Sequence, residues 1–170
     1  MSADRSSRGD SRLLAAAPAG GLFAFVALLA FGGLAVALVS QHVYGMEPCP
    51  WCVLQRLVFA LIGVVAVLGL AWRGGTGRRL AAALAMLLAL AGLGVAFWQR
   101  FVAEKSASCD LTLADRIVAA TRFEALLPDV FAARASCADA AVALLGVPYS
   151  MWAAALFAIC GAAMARAVWR

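Results

Sequence analysis

The stretch Gly21–Ser40, GLFAFVALLAFGGLAVALVS, carries no charged residue over its whole length. At about 1.5 Å of rise per residue it reaches across about 30 Å of hydrocarbon, the length a membrane-spanning helix needs. Arg5, Arg8 and Arg12 stand before it, as in a signal peptide. Its apolar core exceeds the usual run of about 7–15 residues, however, and no small-residue cleavage site follows it cleanly. The expectation is a span that stays attached.

Working outward, three more runs have the same character. The second covers about residues 53–72 and is interrupted near its start by Gln55 and Arg56; the third covers 80–98 and the fourth 148–165. The composition agrees: 65% of the 170 residues are hydrophobic and 14% charged, against about 45–50% and about 25% in soluble domains. A net charge of +5 points to nucleic acid only when basic residues cluster on one face or alternate with aromatics. Here they sit at the ends of apolar runs, so the charge is read as a topology signal and no nucleic acid is expected.

The expected fold is an all-α integral membrane protein, a single membrane domain over 1–170 built as a four-transmembrane-helix bundle. Residues 1–20 form an arm, its first dozen without fixed structure, and 73–79 a short loop on the same side. Arg5, Arg8, Arg12, Arg73, Arg78, Arg79, Arg166 and Arg170 lie on that side. Loops 41–52 and 99–147 lie on the other, where Arg100, Lys105, Arg116, Arg122 and Arg134 are offset by six acidic residues between Glu104 and Asp139. The positive-inside rule then makes both termini cytoplasmic. In the long loop Leu113, Ile117, Ala120, Phe123 and Leu127 recur at helical spacing, so a short helix lying on the membrane surface is expected, ended by Pro128. Glycines scattered through the spans, among them Gly32, Gly63, Gly92 and Gly94, suit close helix approach.

Five cysteines carry the chemistry. Cys49-Pro50-Trp51-Cys52 has the spacing of a reversible disulfide, at the point where an outer loop enters the second helix. The same spacing is half of a zinc site, but Cys109 and Cys137 are too far apart in sequence to complete one, and no metal is expected. In the first turn of its helix Cys52 meets the positive end of the dipole, and Arg56 follows one turn later. Arg56 could instead snorkel to the headgroups. An arginine placed in hydrocarbon costs about 2.5–3.5 kcal/mol on insertion scales, which favours a functional reading. If Cys109 and Cys137 pair, the loop of about 29 residues they close would add roughly 3–4 kcal/mol of stability, so a structural staple stays open beside a redox role. Cys160, inside the fourth run, reads as a small buried hydrophobe.

Gln41-His42-Val43, followed by Pro48, Cys49, Cys52 and Arg56, resembles the first periplasmic loop of the DsbB family, disulfide bond formation protein B. Cys109-Asp110, Leu127-Pro128, Val130-Phe131, Cys137-Ala138, Pro148 and Trp152 extend the resemblance over about residues 20 to 165. It implies a bacterial inner-membrane thiol oxidoreductase that reoxidises a DsbA-like periplasmic thioredoxin-fold protein and passes the electrons to a quinone, ubiquinone or menaquinone. It further implies that Cys49 and Cys52 are the quinone-proximal pair, Cys109 and Cys137 the partner-facing pair, and Arg56 the support of the quinone. Some family members have an Arg-His pair after the third helix where this chain has Arg100-Phe101. His42, the one histidine, is expected at a loop position.

A quinone suits the energetics, because the oxidant must accept electrons from a dithiol near about −120 mV, and about 30 mV corresponds to about 1.4 kcal/mol for two electrons. Two other readings are carried alongside: a reductase of the vitamin K epoxide reductase type, and a non-catalytic membrane scaffold stapled by its cysteines.

Overall fold

The computed structural model describes residues 19–72, 74–105 and 112–169. Cys109 and residues 1–18 of the amino-terminal arm lie outside the described residues. Four long helices dominate: α1 (Ala19–Tyr44), α2 (Pro50–Ala71), α3 (Gly75–Phe101) and α7 (Tyr149–Val168). Each is long and apolar enough to cross a membrane. They outrun the charge-free stretches because a helix continues past the hydrocarbon wherever its next residues can still hydrogen-bond along the axis. Gln41 and His42 therefore sit in the last turn of α1, and Gln99 in the last turn of α3.

Short connections between α1 and α2 and between α2 and α3 make these neighbours antiparallel. Ser150, at the start of α7, donates a 2.9 Å hydrogen bond to Glu104 just beyond α3, so α7 begins where α3 ends. The packing runs α1 on α2, α2 on α3 and α3 on α7, with a lighter contact between α7 and α1. Phe23, Val26 and Ala30 of α1, Phe59, Ile62 and Ala66 of α2, Ala82, Ala85 and Ala89 of α3, and Phe157, Cys160 and Met164 of α7 fill the centre.

Small residues let these helices close on aromatic rings. Phe59 and Phe157 stack at 4.0 Å between centroids, and the Phe157 ring lies where a side chain at Gly92 would project. Phe31 sits against Gly63 in the same way, 2.6 Å from where a Cβ would be. Gly32 and Gly94 do not serve this purpose: each faces open space.

The long loop between α3 and α7 folds over the amino-terminal end of α2. After the 3-10 turn Ala103–Lys105 come α4 (Leu113–Thr121), α5 (Phe123–Leu126) and α6 (Pro128–Phe131). Thr112 caps α4 through a reciprocal box, its hydroxyl accepting from the Asp115 N–H at 3.3 Å while the Asp115 carboxylate accepts from the Thr112 N–H at 2.7 Å. The expected continuous helix up to Pro128 is not formed. Arg122 takes a left-handed conformation, φ 59°, which stops α4 six residues earlier, and Pro128 opens α6 because proline suits a first helical position.

Ala114, Val118 and Phe131 are the buried residues of this cover and pack with Cys49, Trp51, Val53 and Leu54. The longer apolar side chains Leu113, Ile117, Phe123, Leu126 and Leu127 stay exposed. A two-stranded hairpin, β1 (Ala143–Leu144) and β2 (Val147–Pro148), precedes α7. Its turn has positive φ at both Leu145 and Gly146, the geometry whose twist matches antiparallel strands. Nothing in the residue pattern had marked a hairpin there.

Candidate functional site

At the head of α2 the chain turns at Pro48, and Cys49 becomes the residue that caps the helix. Its sulfur accepts the Cys52 N–H at 3.3 Å, a side-chain cap supplied by a thiol. Pro50 occupies the first turn, where its missing N–H costs nothing. The helical step brings the Cys49 and Cys52 sulfurs to 2.6 Å, so the two-residue spacing has put both thiols on one side of the first turn.

The outer loop delivers a third sulfur. Arg134 and Ala135 donate backbone hydrogen bonds to the Pro48 carbonyl, at 2.9 and 3.3 Å. This seats the following turn against the helix head and brings Cys137 beside Cys49 in one buried cluster. Cys49 is fully buried and Cys137 nearly so. Hydrogen bonding to Cys137, then to Cys52, and burial after that, all hold the Cys49 thiol well above the usual cysteine range. The same contact works in the opposite sense on Cys137. Accepting from Cys49, and also from the Trp51 backbone N–H, lowers it below the ordinary thiol. Cys137 is therefore the more readily ionised thiol of the two.

Arg56 lies one turn below Cys52 and is 6% exposed. Its guanidinium is bonded inside the protein and does not reach out to headgroups. One amino group donates to Gln41 Oε1 at 2.5 Å and to the Val130 carbonyl at 3.0 Å, and the other to the Ala37 carbonyl at 3.2 Å. This one side chain ties α1, α2 and α6 together. Snorkelling, the bland alternative for an arginine near a helix end, does not describe it.

Below the sulfurs, between α1 and α7 where their contact is lightest, opens a cavity of about 1000 Å³. Leu29, Gly33, Phe59, Ala153 and Leu156 line its apolar length, and Cys52, Gln55, Arg56 and Gln99 its polar end. The shape and the few convergent polar groups are those of a site for a largely apolar small molecule. N–H groups at the polar end suit acceptor atoms of a ring, and the apolar length suits a hydrocarbon tail.

Of the residues singled out in the sequence, Cys49, Cys52, Cys137 and Arg56 converge here, and Cys109 lies outside the described residues. His42 is exposed on the last turn of α1, not in a loop. Phe101, at the position where some family members carry the histidine of an Arg-His pair, is exposed too. Three glutamines were given no role: Gln41 bonds Arg56, and Gln99 bonds both Gln55 and Cys52. Their signal was an uncharged polar group inside or at the edge of an apolar run, where an unpaired amide is costly.

Cys160 is fully buried in the centre of the bundle among Phe157, Met164 and Ala89. Cys160→Ala leaves turnover unchanged and costs about 1 kcal/mol from the small cavity it opens, read as a slightly lower melting temperature in detergent. Lost oxidase activity in that variant contradicts the assignment.

The family model for Disulfide bond formation protein DsbB matches residues 20–167. The chain is 37% identical over 139 residues to Disulfide bond formation protein B of Herminiimonas arsenicoxydans, covering 81% of this chain and 87% of the relative. Proteins of the same name from Aromatoleum aromaticum and Azoarcus sp. are 38% and 36% identical, over 78% and 87% of this chain and 79% and 87% of their own. No solved structure matches the chain at comparable significance. A match reaching from the start of α1 to the end of α7, in a chain that gathers Cys49, Cys52 and Cys137 at one end of four apolar helices, places this multi-pass membrane protein in the DsbB family of disulfide bond formation proteins.

Proposed function

We propose that the protein is an inner-membrane thiol oxidase that takes electrons from a DsbA-like periplasmic dithiol protein and delivers them, through two cysteine pairs, to ubiquinone or menaquinone. The observation that carries this reading is the contact of Cys137 with Cys49 at the mouth of the cavity lined by Cys52 and Arg56. A cysteine used only as a staple in the outer loop has no reason to rest against a second pair.

In the proposed sequence the partner's thiolate attacks Cys109 and releases Cys137. Cys137 then attacks Cys49, joining the two loops by a new disulfide and releasing Cys52 as a thiolate. Bound at the polar end of the cavity, a quinone supplies a two-electron acceptor beside Cys52. The chain's own residues set the rest. Cys137 is held as the nucleophile by the Trp51 N–H, Cys49 is buried so that the transfer stays off the solvent, and the head of α2 favours the anion on Cys52. Arg56, Gln55 and Gln99 would hold the ring of the quinone, and Leu29, Phe59 and Leu156 its tail. The exposed side chains of Leu113, Ile117 and Leu126 suit a loop that rests on the outer membrane interface.

Identifying the quinone in an organic extract of the detergent-purified protein tests the reading. About one quinone per chain is expected, and a protein that turns over with none bound contradicts it.

Both termini are assigned to the cytoplasm and the cysteine end to the periplasm, from the basic residues near the spans. Leu145, at the tip of the hairpin, is 87% exposed. In a Leu145→Cys chain a membrane-impermeant thiol reagent should modify that position in intact spheroplasts, as read by mass spectrometry of the peptide. Modification only after lysis reverses the topology.

A further inference from the structure

We infer that Gln99 is a further catalytic residue of this chain, a fixed amide donor that receives the anion formed on Cys52, and that Gln55 is the positioning residue that aims it. The inference rests on the relay proposed above and adds the group that stabilises its leaving sulfur.

Gln99 Nε2 donates to Cys52 Sγ at 3.3 Å. The other end of the same amide is taken, because Gln55 Nε2 donates to Gln99 Oε1 at 2.6 Å. A primary amide is ambiguous until its partners fix it, and here the bond from Gln55 leaves the N–H side facing the sulfur. Both glutamines are buried, Gln99 at 3% and Gln55 at 6% exposed. They sit on different helices, Gln55 one turn below Cys52 on α2 and Gln99 in the last turn of α3. Two such amides in an apolar bundle are costly to bury unless each is bonded, and the chain they form ends on the reacting atom.

Arg56 does not duplicate this contact. Its amino groups bond Gln41, Ala37 and Val130 and make no hydrogen bond to Cys52, so its charge acts on that sulfur through space. Among the described residues, the side-chain N–H bonded to Cys52 Sγ is that of Gln99. When the Cys137 thiolate attacks Cys49, the Cys49–Cys137 bond forms and the Cys49–Cys52 bond breaks. The electron pair of the broken bond goes to Cys52 Sγ, and no proton is transferred. A donor already aimed at that sulfur stabilises the new charge without having to reorganise. This is the part an oxyanion hole plays in acyl transfer, with sulfur in place of oxygen.

The test is alkylation of Cys52 by iodoacetamide in the detergent-purified full chain carrying Cys49→Ser, with the modified cysteine read by mass spectrometry. Gln99→Leu should slow the reaction at neutral pH about ten-fold, the worth of one hydrogen bond to a charged group. The two rates should converge at strongly alkaline pH, where the thiol ionises regardless. Gln99→Glu keeps the shape and the bond from Gln55 but replaces the donor by an acceptor, so it should slow the reaction at least as much. It also decides the matter if Gln99→Leu does not fold. Gln55→Leu should give a smaller slowing, and Gln99→His, which retains an N–H, should recover part of the rate.

Equal rates for the parent, Gln99→Leu and Gln99→Glu at neutral pH overturn the inference. So does a slowing that persists at alkaline pH, which reports blocked access. Failure of the relay itself would show elsewhere: a Cys52→Ser chain with Gln99 intact would form no Cys49–Cys137 disulfide, whatever the alkylation rates.

Discussion

Cys137→Ser stops quinone-linked turnover, by on the order of a thousand-fold or more as expected for loss of a nucleophile, and leaves the partner protein covalently attached. The structure gives the reason for the first half, and the proposed order of transfer for the second. Cys137 is the thiol lying beside Cys49, so among the described residues its loss leaves the pair at the head of α2 without an outer-loop sulfur. The remaining Cys109, offered as a thiol to the oxidised partner, forms a mixed disulfide that Cys137 can no longer resolve. On a non-reducing gel that adduct should accumulate with Cys137→Ser and be missing with Cys109→Ser. Linkage through Cys49 or Cys52, found by mass spectrometry, reverses the assumed order of transfer.

Arg56→Met should raise the apparent KM for quinone about ten-fold or more, by removing a charged donor from the polar end of the cavity. Methionine fills a similar volume, yet the fold also weakens. Gln41 Oε1 and the Ala37 and Val130 carbonyls lose their common donor, and stranding buried acceptors costs about 1–3 kcal/mol each where water cannot replace the bond. Arg56→Lys separates the two effects, since it returns the charge but cannot span three acceptors as a planar fork does. Its quinone dependence should recover more than its melting temperature. A quinone dependence unchanged in Arg56→Met contradicts a role for this residue at the cavity.

The bundle was legible because a charge-free stretch of span length has one stable home, and the four runs gave four helices. Their ends were not. Gln41, His42 and Gln99 fell outside the apolar windows, although helical hydrogen bonding carries α1 and α3 through them. The outer loop was legible only in part. The helical spacing of Leu113 and Ile117 found α4, but those residues form its exposed face, and the buried side is the smaller pair Ala114 and Val118. The break at Arg122 depends on a left-handed conformation that a basic residue does not announce.

In the candidate site, the approach of the Cys49 and Cys52 sulfurs follows from spacing alone. The approach of Cys137 does not, since backbone bonds from Arg134 and Ala135 to Pro48 create it. Arg56 was expected mainly as a cation beside Cys52, and its hydrogen bonds reveal a tie between helices and loop as well. The glutamine chain could be seen only once α2 and α3 were placed side by side.

The most direct test of the account is an anaerobic electron balance. Reduced partner is mixed with the purified, quinone-loaded protein, and quinone absorbance and free thiols are followed together. The account predicts one quinone reduced for each partner dithiol oxidised, with the reaction retained in Cys160→Ala and lost when Cys49, Cys52, Cys109 or Cys137 is replaced by serine. Quinone reduction that continues at the full rate in Cys137→Ser would contradict it.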